Sequence, residues 1–437
     1  MSTVAAGEVK NRGPVVTAAG TGINLALGVL YSWAVFKSAM QTDWGWSVDK
    51  AGIPYALCCL VFAFAMIPAG RLQDKLSPRL VATIGGVLVG LGMALCAIAG
   101  NSFPAVVIGF GVLVGAGIGF GYASATPPAV KWFPSRRTGL IAGLVVSGFG
   151  LASLFIVPLA TMSLSGAGIS NTFLYFGIVF FVIVILLAQI LKTPPAGYVP
   201  VDNAPQVKTK KVVVHGEEMT WKQMIKTPQF YLLWLMFFCG SGVGLMVIGQ
   251  AKTIVGNAAS TLGLLWLGTA CLMLLAVGNG AGRIIAGFLS DRIGRTLTMF
   301  SVFLVQAIML GVMMILAGAP SAALFIASFI LMGFNYGACL SVFPSAAKDY
   351  FGLKNFGLNY GIVFTAWGVG GFVLTRVAGL VKDATGSYVG AFLTGIGALV
   401  LAMVLTFVTK PPHHNKGIES IGSESRDEER ELVGTAK

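Results

Sequence analysis

The chain has 437 residues, of which 56% are hydrophobic and only 10% are charged. A soluble domain of this size carries about a quarter charged residues, so the composition excludes one and indicates a protein that crosses a membrane several times. The net charge of +13 does not indicate nucleic acid as a partner, because the lysines and arginines lie in short gaps between apolar runs. The partner expected from this pattern is the lipid bilayer.

Twelve apolar runs reach the length of about 20 residues that a helix needs to cross a bilayer. In chain order they are 14–38, 50–70, 80–100, 104–130, 138–160, 170–191, 227–253, 261–288, 296–317, 320–347, 356–378 and 386–409. Helices are required because lipid offers no hydrogen-bond partners to backbone polar groups. We therefore predict an all-α membrane protein with twelve transmembrane helices.

Most of the 29 lysines and arginines fall at the N-terminus, in every second gap and in the tail. By the positive-inside rule, these gaps and both termini are predicted to face the cytoplasm, in a cell inner (plasma) membrane. The longest gap indicates a linker, and its end at 220–225 can form a short surface helix. The predicted division is an N-terminal six-helix half 1–191, a cytoplasmic linker 192–226, a second half 227–410 and a disordered cytoplasmic tail 411–437.

The two halves carry the same sequence marks. The loop at 70–75, with Gly70 and Asp74, recurs at 287–292 with Gly287, Asp291 and Arg292. Duplicated halves with a site between them are the arrangement of many secondary transporters. We predict that these five residues act in gating, with the two aspartates paired to nearby cations or helix N-termini across the cytoplasmic gate.

One arginine interrupts the eighth run. Arg283 precedes Asp291 by about 12 Å of helix at 1.5 Å per residue, which is deep for a side chain that reaches the membrane surface. An arginine at mid-membrane costs at least about 2.5 kcal/mol. None of the 16 acidic residues lies inside an apolar run to neutralise it. An anionic substrate is therefore predicted as its counter-ion, since a guanidinium holds a carboxylate with two hydrogen bonds. The structural alternative is an arginine bonded to backbone carbonyls that holds two helices together.

The other cations outside the cytoplasmic gaps have simpler explanations. Lys37, Lys50, Lys252 and Lys382 fall in or near the opposite gaps, and Arg376 near the outer end of the eleventh run can reach the surface. That leaves Arg283 as the cation inside an apolar run.

The duplication does not extend to this arginine. In the first half, Phe62 and Met66 stand at the positions of Asn279 and Arg283. Because the scaffold is repeated and the cation is not, the asymmetry favours a site role. Asn279 lies one turn before Arg283, where it can orient the guanidinium or donate to substrate, or alternatively join two helices.

The duplicated loops resemble those of the major facilitator superfamily. Finer marks resemble its monocarboxylate porter and oxalate:formate antiporter branch, and they lie at 31–33, 131–140, 227–234, 279–295 and 359–361. The resemblance implies alternating access around a central carboxylate site in which Arg283 binds the carboxylate. It places the aromatic cage of the family on Tyr31, Tyr122, Phe149, Tyr336 and Phe364.

Departures from the family pattern narrow the expected substrate. The second cation of the antiporter falls on Trp367, and one of its cage tyrosines falls on Leu340. One cation with more apolar surface suits a monoanion. The repeat also predicts that Phe149 and Trp367 face each other across the cavity.

The usual proton carriers of the animal monocarboxylate transporters are also replaced. Their first-helix lysine corresponds to an apolar residue around Leu27 to Leu30, and their aspartate to Asn279. If transport is coupled to protons, the substrate carboxylate itself is then expected to carry the proton, or to load Arg283 as a neutral pair.

These observations predict a secondary active transporter of small monocarboxylates such as L-lactate or pyruvate. Proton symport is the leading mode, and the expected form is a functional monomer without cofactor or metal. Anion exchange of the oxalate:formate kind is the alternative within transport. A membrane enzyme is disfavoured, because the runs contain no carboxylate pair, no histidine cluster and no nucleophile beside a base. A non-transporting receptor is the remaining class, and a pocket with an unpaired cation argues against it.

Overall fold

The computed structural model describes residues 11–134, 138–195, 198, 200, 218–352 and 355–410, without the side chains of 74, 138 and 139. Within this part of the chain every regular element is a helix, and 11 helices are long and apolar enough to cross a membrane. One of them, Thr138–Ala188, has 51 residues, or about 76 Å at 1.5 Å per residue, against about 30 Å of hydrocarbon. It is interrupted at Gly168, where φ is 77°, so it makes two crossings. The prediction of an all-α fold with twelve transmembrane helices is confirmed.

The crossings are numbered in chain order. Their bounds are α1 Gly13–Trp44, α2 Val48–Lys75, α3 Pro78–Ala99, α4 Phe103–Val130, α5 and α6 the parts of Thr138–Ala188 before and after Gly168, α7 Pro228–Thr261, α8 Leu267–Ile293, α9 Arg295–Leu316, α10 Ala322–Phe351, α11 Phe356–Thr385 and α12 Val389–Val408. A short helix, Trp221–Met224, precedes α7 and is capped by Thr220, within the predicted surface helix. Most of the predicted linker and the predicted tail lie outside the described residues.

The helices form two bundles with two ends. The first bundle is α1–α6 and the second bundle is α7–α12. The proximal end is the end at which α1 begins and α12 finishes, and the distal end carries the turn 45–47 between α1 and α2 and the turn 386–388 between α11 and α12.

Helices of the two bundles pack against each other chiefly along two pairs. Helix α2 lies along α11, and α5 lies along α8, while the distal part of α1 also contacts α7. Within the bundles, α1 packs on α5, and α10 packs on α8. The two helices that carry Arg283 and Phe149 are therefore neighbours across the boundary between the bundles.

Helix α1 extends beyond its predicted end, and this changes the place of Lys37. Because α1 continues to Trp44, Lys37 lies inside the helix with 1% of its side chain exposed. Its Nζ donates to Oε1 of Gln250 on α7. The prediction that Lys37 lies in or near a gap was wrong, and Arg283 is not the single buried cation.

Arg376 reaches the distal end of the molecule and has a partner there. Its Nη1 lies 3.1 Å from Oδ2 of Asp49, in the first turn of α2. The sequence did not indicate this partner, because Asp49 and Arg376 meet only when α2 and α11 pack.

Candidate functional site

Arg283 is positioned by glycines on two helices, α8 and α5. Gly278 and Gly282 bring α8 so close to α10 that a Cβ at either position would collide with a backbone carbonyl. On the other side, a Cβ at Gly150 of α5 would lie 3.2 Å from Nε of Arg283. Small residues permit such close approach of helices. The guanidinium thus lies against α5, on a helix that packs closely on α10, at the boundary of the bundles.

The side chain of Arg283 is buried, with 6% exposed, and only partly satisfied. Its Nε donates to Oδ1 of Asn279 at 3.1 Å, and its Nη1 donates to the carbonyl of Val146 on α5 at 2.8 Å. Nη2 has no partner among the described residues, and no described carboxylate forms an ion pair with the guanidinium. Arg283 does bond a backbone carbonyl of a neighbouring helix, as the alternative role of joining two helices requires. That bond leaves Nη2 of the guanidinium without a partner among the described residues.

Asn279 orients the guanidinium, as one of its predicted roles requires. The side chain is 1% exposed. Because an arginine can only donate hydrogen bonds, the atom of Asn279 that faces Nε must be the oxygen. The amide nitrogen Nδ2 consequently points elsewhere, and it has no partner among the described residues.

Three polar aromatic side chains form a chain of hydrogen bonds beside the arginine. The hydroxyls of Tyr31 on α1 and Tyr336 on α10 lie 2.6 Å apart. Nε1 of Trp367 on α11 donates to the Tyr336 hydroxyl at 2.8 Å. Tyr31 lies in a 3-10 segment, Gly28–Ser32, that interrupts α1 at this depth. Such segments inside a helix often mark functional hinges.

The predicted aromatic positions come together around this chain. The ring of Phe149 lies 4.9 Å from that of Tyr31 and 5.3 Å from that of Tyr122. The hydroxyl of Tyr122 lies beside the Arg283 guanidinium. On the other side, Phe364 stacks on Trp367 at 5.1 Å.

Phe62 of α2 was missed as a site residue. Its ring lies 5.8 Å from Phe149 and 5.0 Å from Trp367, and it also contacts Tyr122 and Phe364. Phe149 and Trp367 therefore do not face each other directly, because Phe62 stands between them. The sequence held a signal: Phe62 is the repeat counterpart of Asn279, at the same depth of its own half.

The two predicted leucines are also in the core. Leu30 precedes Tyr31 in the 3-10 segment and is fully buried, and Leu340 lies one turn after Tyr336 with 9% exposed. They add apolar surface to the helices that carry the two tyrosine hydroxyls.

The predicted gating residues lie at the proximal end, away from this site. Asp291 pairs with Arg295 at 2.7 Å, and Arg295 also bonds Asp349 at 2.9 Å. Asp291 thus pairs with a nearby cation at the start of α9, but all three residues belong to the second bundle, so this pair does not run across the gate between the bundles. Arg292 lies over the Phe288 ring at 4.2 Å. The side chain of Asp74 lies outside the described part of the chain.

The two gating glycines differ in their surroundings. A Cβ at Gly287 would lie 2.7 Å from Oγ of Ser341 on α10, whereas nothing lies within 4 Å of a Cβ at Gly70. Gly287 thus continues the close packing of α8 on α10, and Gly70 borders open space.

Comparison with known proteins identifies the family. Residues 18–374 and 251–428 match the sequence profile of the Major Facilitator Superfamily. YhjX of Escherichia coli strain K12, an uncharacterised transporter of this type, is 32% identical over 79% of this chain and 82% of its own. The oxalate:formate antiporter of Oxalobacter formigenes is 29% identical over 87% of both chains. Monocarboxylate transporter 13 of Bos taurus is 24% identical over 89% of this chain and 86% of its own.

These relatives are membrane transporters and not enzymes. The profile covers both bundles, and the helices fit the expected architecture. The chain belongs to the Major Facilitator Superfamily.

Proposed function

We propose that the protein is a secondary active transporter of small monocarboxylates, of the L-lactate and pyruvate type, that works by alternating access. The observation that carries this proposal is the unpartnered Nη2 of a buried guanidinium at the boundary of the two bundles. A cation in this place costs free energy unless an anion visits it. A carboxylate is the ligand whose two oxygens match the guanidinium fork.

The surroundings of Arg283 support a monoanion. The antiporter's second cation corresponds to Trp367, which is 1% exposed and stacked on Phe364. A second carboxylate at this position would be buried without a counter-charge, and that is expensive. Aromatic rings instead offer an apolar wall to the short carbon chain of a monocarboxylate.

Tyr31 and Tyr336 support alternating access at the same site. Their hydroxyl contact joins the first bundle to the second. A substrate between the bundles would separate these hydroxyls or bridge them. Binding at Arg283 would in this way bias how the bundles sit against each other.

Proton symport is the leading mode. Movement of a monoanion with one proton carries no net charge, so the membrane potential does not oppose uptake. Anion exchange is the second candidate, favoured by the similarity to the oxalate:formate antiporter over most of both chains. We further propose a location in the cell inner membrane with both termini in the cytoplasm, function as a monomer, and the two predicted halves as the moving units.

Uptake into reconstituted liposomes tests the proposal. Labelled L-lactate or pyruvate is offered with an inward proton gradient and no internal anion, and protein-free liposomes correct for diffusion of the neutral acid. Accumulation supports symport, whereas uptake only with internal formate or oxalate supports exchange. No saturable uptake under either condition would contradict monocarboxylate transport.

Arg283 provides the matched variants. Arg283→Gln removes the charge and Arg283→Lys removes the fork, and we expect each to lower saturable uptake at least about 100-fold, since a hydrogen-bonded charge contributes roughly 3 kcal/mol. Arg12→Gln is the control, because Arg12 lies exposed at the proximal end, just before α1. Normal uptake by a folded Arg283→Gln protein would contradict the site.

A further inference from the structure

A cavity of about 430 Å³ lies at the proximal end of the first bundle, and Arg283 is not among the residues that line it. Three segments form its walls: the start of α1, the start of α3 and the turn that follows α6. Each segment contributes one cation, which are Arg12, Arg79 and Lys192, and none of the described residues that line the cavity is acidic. The cavity therefore gathers positive charge from three separate parts of the first bundle.

The cations of this cavity have donor hydrogens to spare. Nε of Arg79 donates to the carbonyl of Leu191 at 3.2 Å, which holds the guanidinium at the cavity. Within the described part of the chain, the two terminal nitrogens of Arg79 have no hydrogen-bond partner, and neither has Nζ of Lys192. No described carboxylate forms an ion pair with Arg12, Arg79 or Lys192. The three side chains can thus donate to a ligand in the cavity.

Two helix starts add to the positive potential. Arg12 immediately precedes α1, Arg79 lies in the first turn of α3, and neither first turn contains an acidic residue. The start of a helix carries a partial positive charge, which a negative group compensates and a cation opposes. Phosphate groups bind well where helix starts and arginines meet. An anion of the phosphate type is therefore the ligand that fits the charge of this cavity.

An apolar path leads from the cavity towards the interior of the membrane. Val15 and Ile190 line the cavity, and both are exposed. Along α6, the exposed side chains of Leu186, Ile183 and Val179 continue from Ile190 at helical spacing. A free inorganic phosphate does not contact such a path, whereas the acyl chain of a phospholipid covers it.

We propose that this cavity binds the headgroup of an anionic phospholipid, with the phosphate on Arg79, Lys192 and Arg12 and an acyl chain along α6. Basic pockets between transmembrane helices bind such headgroups in other membrane proteins. All three segments belong to the first bundle, so the site stays intact when the two bundles move against each other. Lipid binding then favours neither arrangement of the bundles, and it stabilises the protein without changing saturable uptake.

Native mass spectrometry of the full chain in a non-ionic detergent measures the site directly. Phosphatidylglycerol is titrated into delipidated protein, and the apparent Kd of the first bound lipid is compared with that of phosphatidylcholine. Both lipids carry a phosphate, but the choline group cancels its charge. We expect phosphatidylglycerol to bind at least about tenfold more tightly, because each cation near the phosphate contributes about fivefold. Equal binding of the two lipids would overturn the proposal.

Single substitutions assign the binding to the cavity. Arg79→Gln and Lys192→Gln each remove one of its cations, and we expect each to weaken phosphatidylglycerol about fivefold. Lys222→Gln is the matched control, because Lys222 is an exposed lysine just before α7, at the proximal end of the second bundle. Equal affinities of Lys192→Gln and Lys222→Gln would show that the lipid binds elsewhere. Should Arg79→Gln not fold, Lys192→Gln still decides.

Inorganic phosphate distinguishes a lipid from a soluble phosphate compound. Thermal unfolding is measured in the same detergent with phosphatidylglycerol or with millimolar inorganic phosphate. We expect the lipid to raise the unfolding midpoint by a few degrees and inorganic phosphate to leave it unchanged. If inorganic phosphate raised the midpoint as much, and Lys192→Gln abolished that rise, the cavity would be a site for soluble phosphates and the lipid proposal would be wrong.

Discussion

At the scale of single residues, the site is defined by what each polar atom can do. Arg283 spends two of its nitrogens on Asn279 and Val146 and keeps the third. Trp367 donates to the hydroxyl of Tyr336, and the apolar face of its ring closes the side of the site opposite Arg283. The contrast between a single available cation and an aromatic wall is the reason that we propose a monoanion as the substrate.

Trp367→Lys tests that contrast. The variant places a second cation at the position where the oxalate:formate antiporter has one. A dicarboxylate such as oxalate should then bind roughly tenfold or more tightly, because an added hydrogen-bonded charge is worth about 1.5–3 kcal/mol. Competition of oxalate against labelled pyruvate measures the change. The control is Trp132→Lys, because Trp132 lies at the proximal end, where its Nε1 donates to the backbone carbonyl of Lys192. If oxalate gains nothing while Arg283 remains essential, Trp367 does not line the site.

At the scale of helices, the position of the arginine depends on glycine contacts between α8 and α10. Gly278 and Gly282 meet the α10 backbone, while Gly333 and Gly337 meet that of α8, and a Cβ at any of them would collide with a carbonyl oxygen. Helix–helix association in membranes rests on such close packing, because lipid provides no hydrophobic driving force. The depth of Arg283 in the site is therefore a property of the helix pair.

Gly282→Val is expected to push α8 away from α10. Overpacking of this kind costs about 1–3 kcal/mol, and it displaces Arg283, so both the unfolding temperature and the affinity for pyruvate should fall. Thermal unfolding in detergent and counterflow measure the two effects. Gly311→Val on α9 is the matched control, because a Cβ there would meet open space. If Gly282→Val and Gly311→Val had the same unfolding temperature and the same affinity for pyruvate, the contact of α8 with α10 would not be what positions Arg283.

At the scale of the whole molecule, polar contacts fasten the bundles together at the distal end. Lys37 of α1 bonds Gln250 of α7, and Arg376 of α11 pairs with Asp49 of α2. Asp383 of α11 accepts from the first two backbone N–H groups of α2, at 2.9 and 2.8 Å. The start of a helix favours a carboxylate in this position.

The proximal end is looser. Gly361 of α11 still meets Ile67 of α2, but a Cβ at Gly357 or Gly70, about one turn closer to the proximal end on each helix, would have nothing within 4 Å. This is the pattern expected of a transporter whose pathway is closed distally and open proximally.

Asp383→Ala is expected to shift the bundles towards a distally open arrangement. The substitution removes a charged acceptor from the N-terminus of α2. This interaction is worth about 1–2 kcal/mol, so its loss should raise the population of the distally open arrangement roughly tenfold. Spin labels at Ser102 and Ala319, on exposed distal turns of the two bundles, report the separation. We expect a longer distance in Asp383→Ala and no change in Asp43→Ala, an exposed distal aspartate. An unchanged distance distribution would mean that these contacts do not hold the bundles.

The sequence by itself determined the number of crossings and the presence of a cation without an acid, because hydropathy and charge are local properties of each run. It also identified the aromatic positions through the family resemblance, and Tyr31, Phe149, Tyr336 and Trp367 do meet. The tertiary structure alone decided that Phe62 stands between the rings, that Lys37 is buried against Gln250, and which atoms of Arg283 and Asn279 stay free. Those facts depend on contacts between helices far apart in the chain, and the residue types along one helix do not specify which neighbour each side chain will meet.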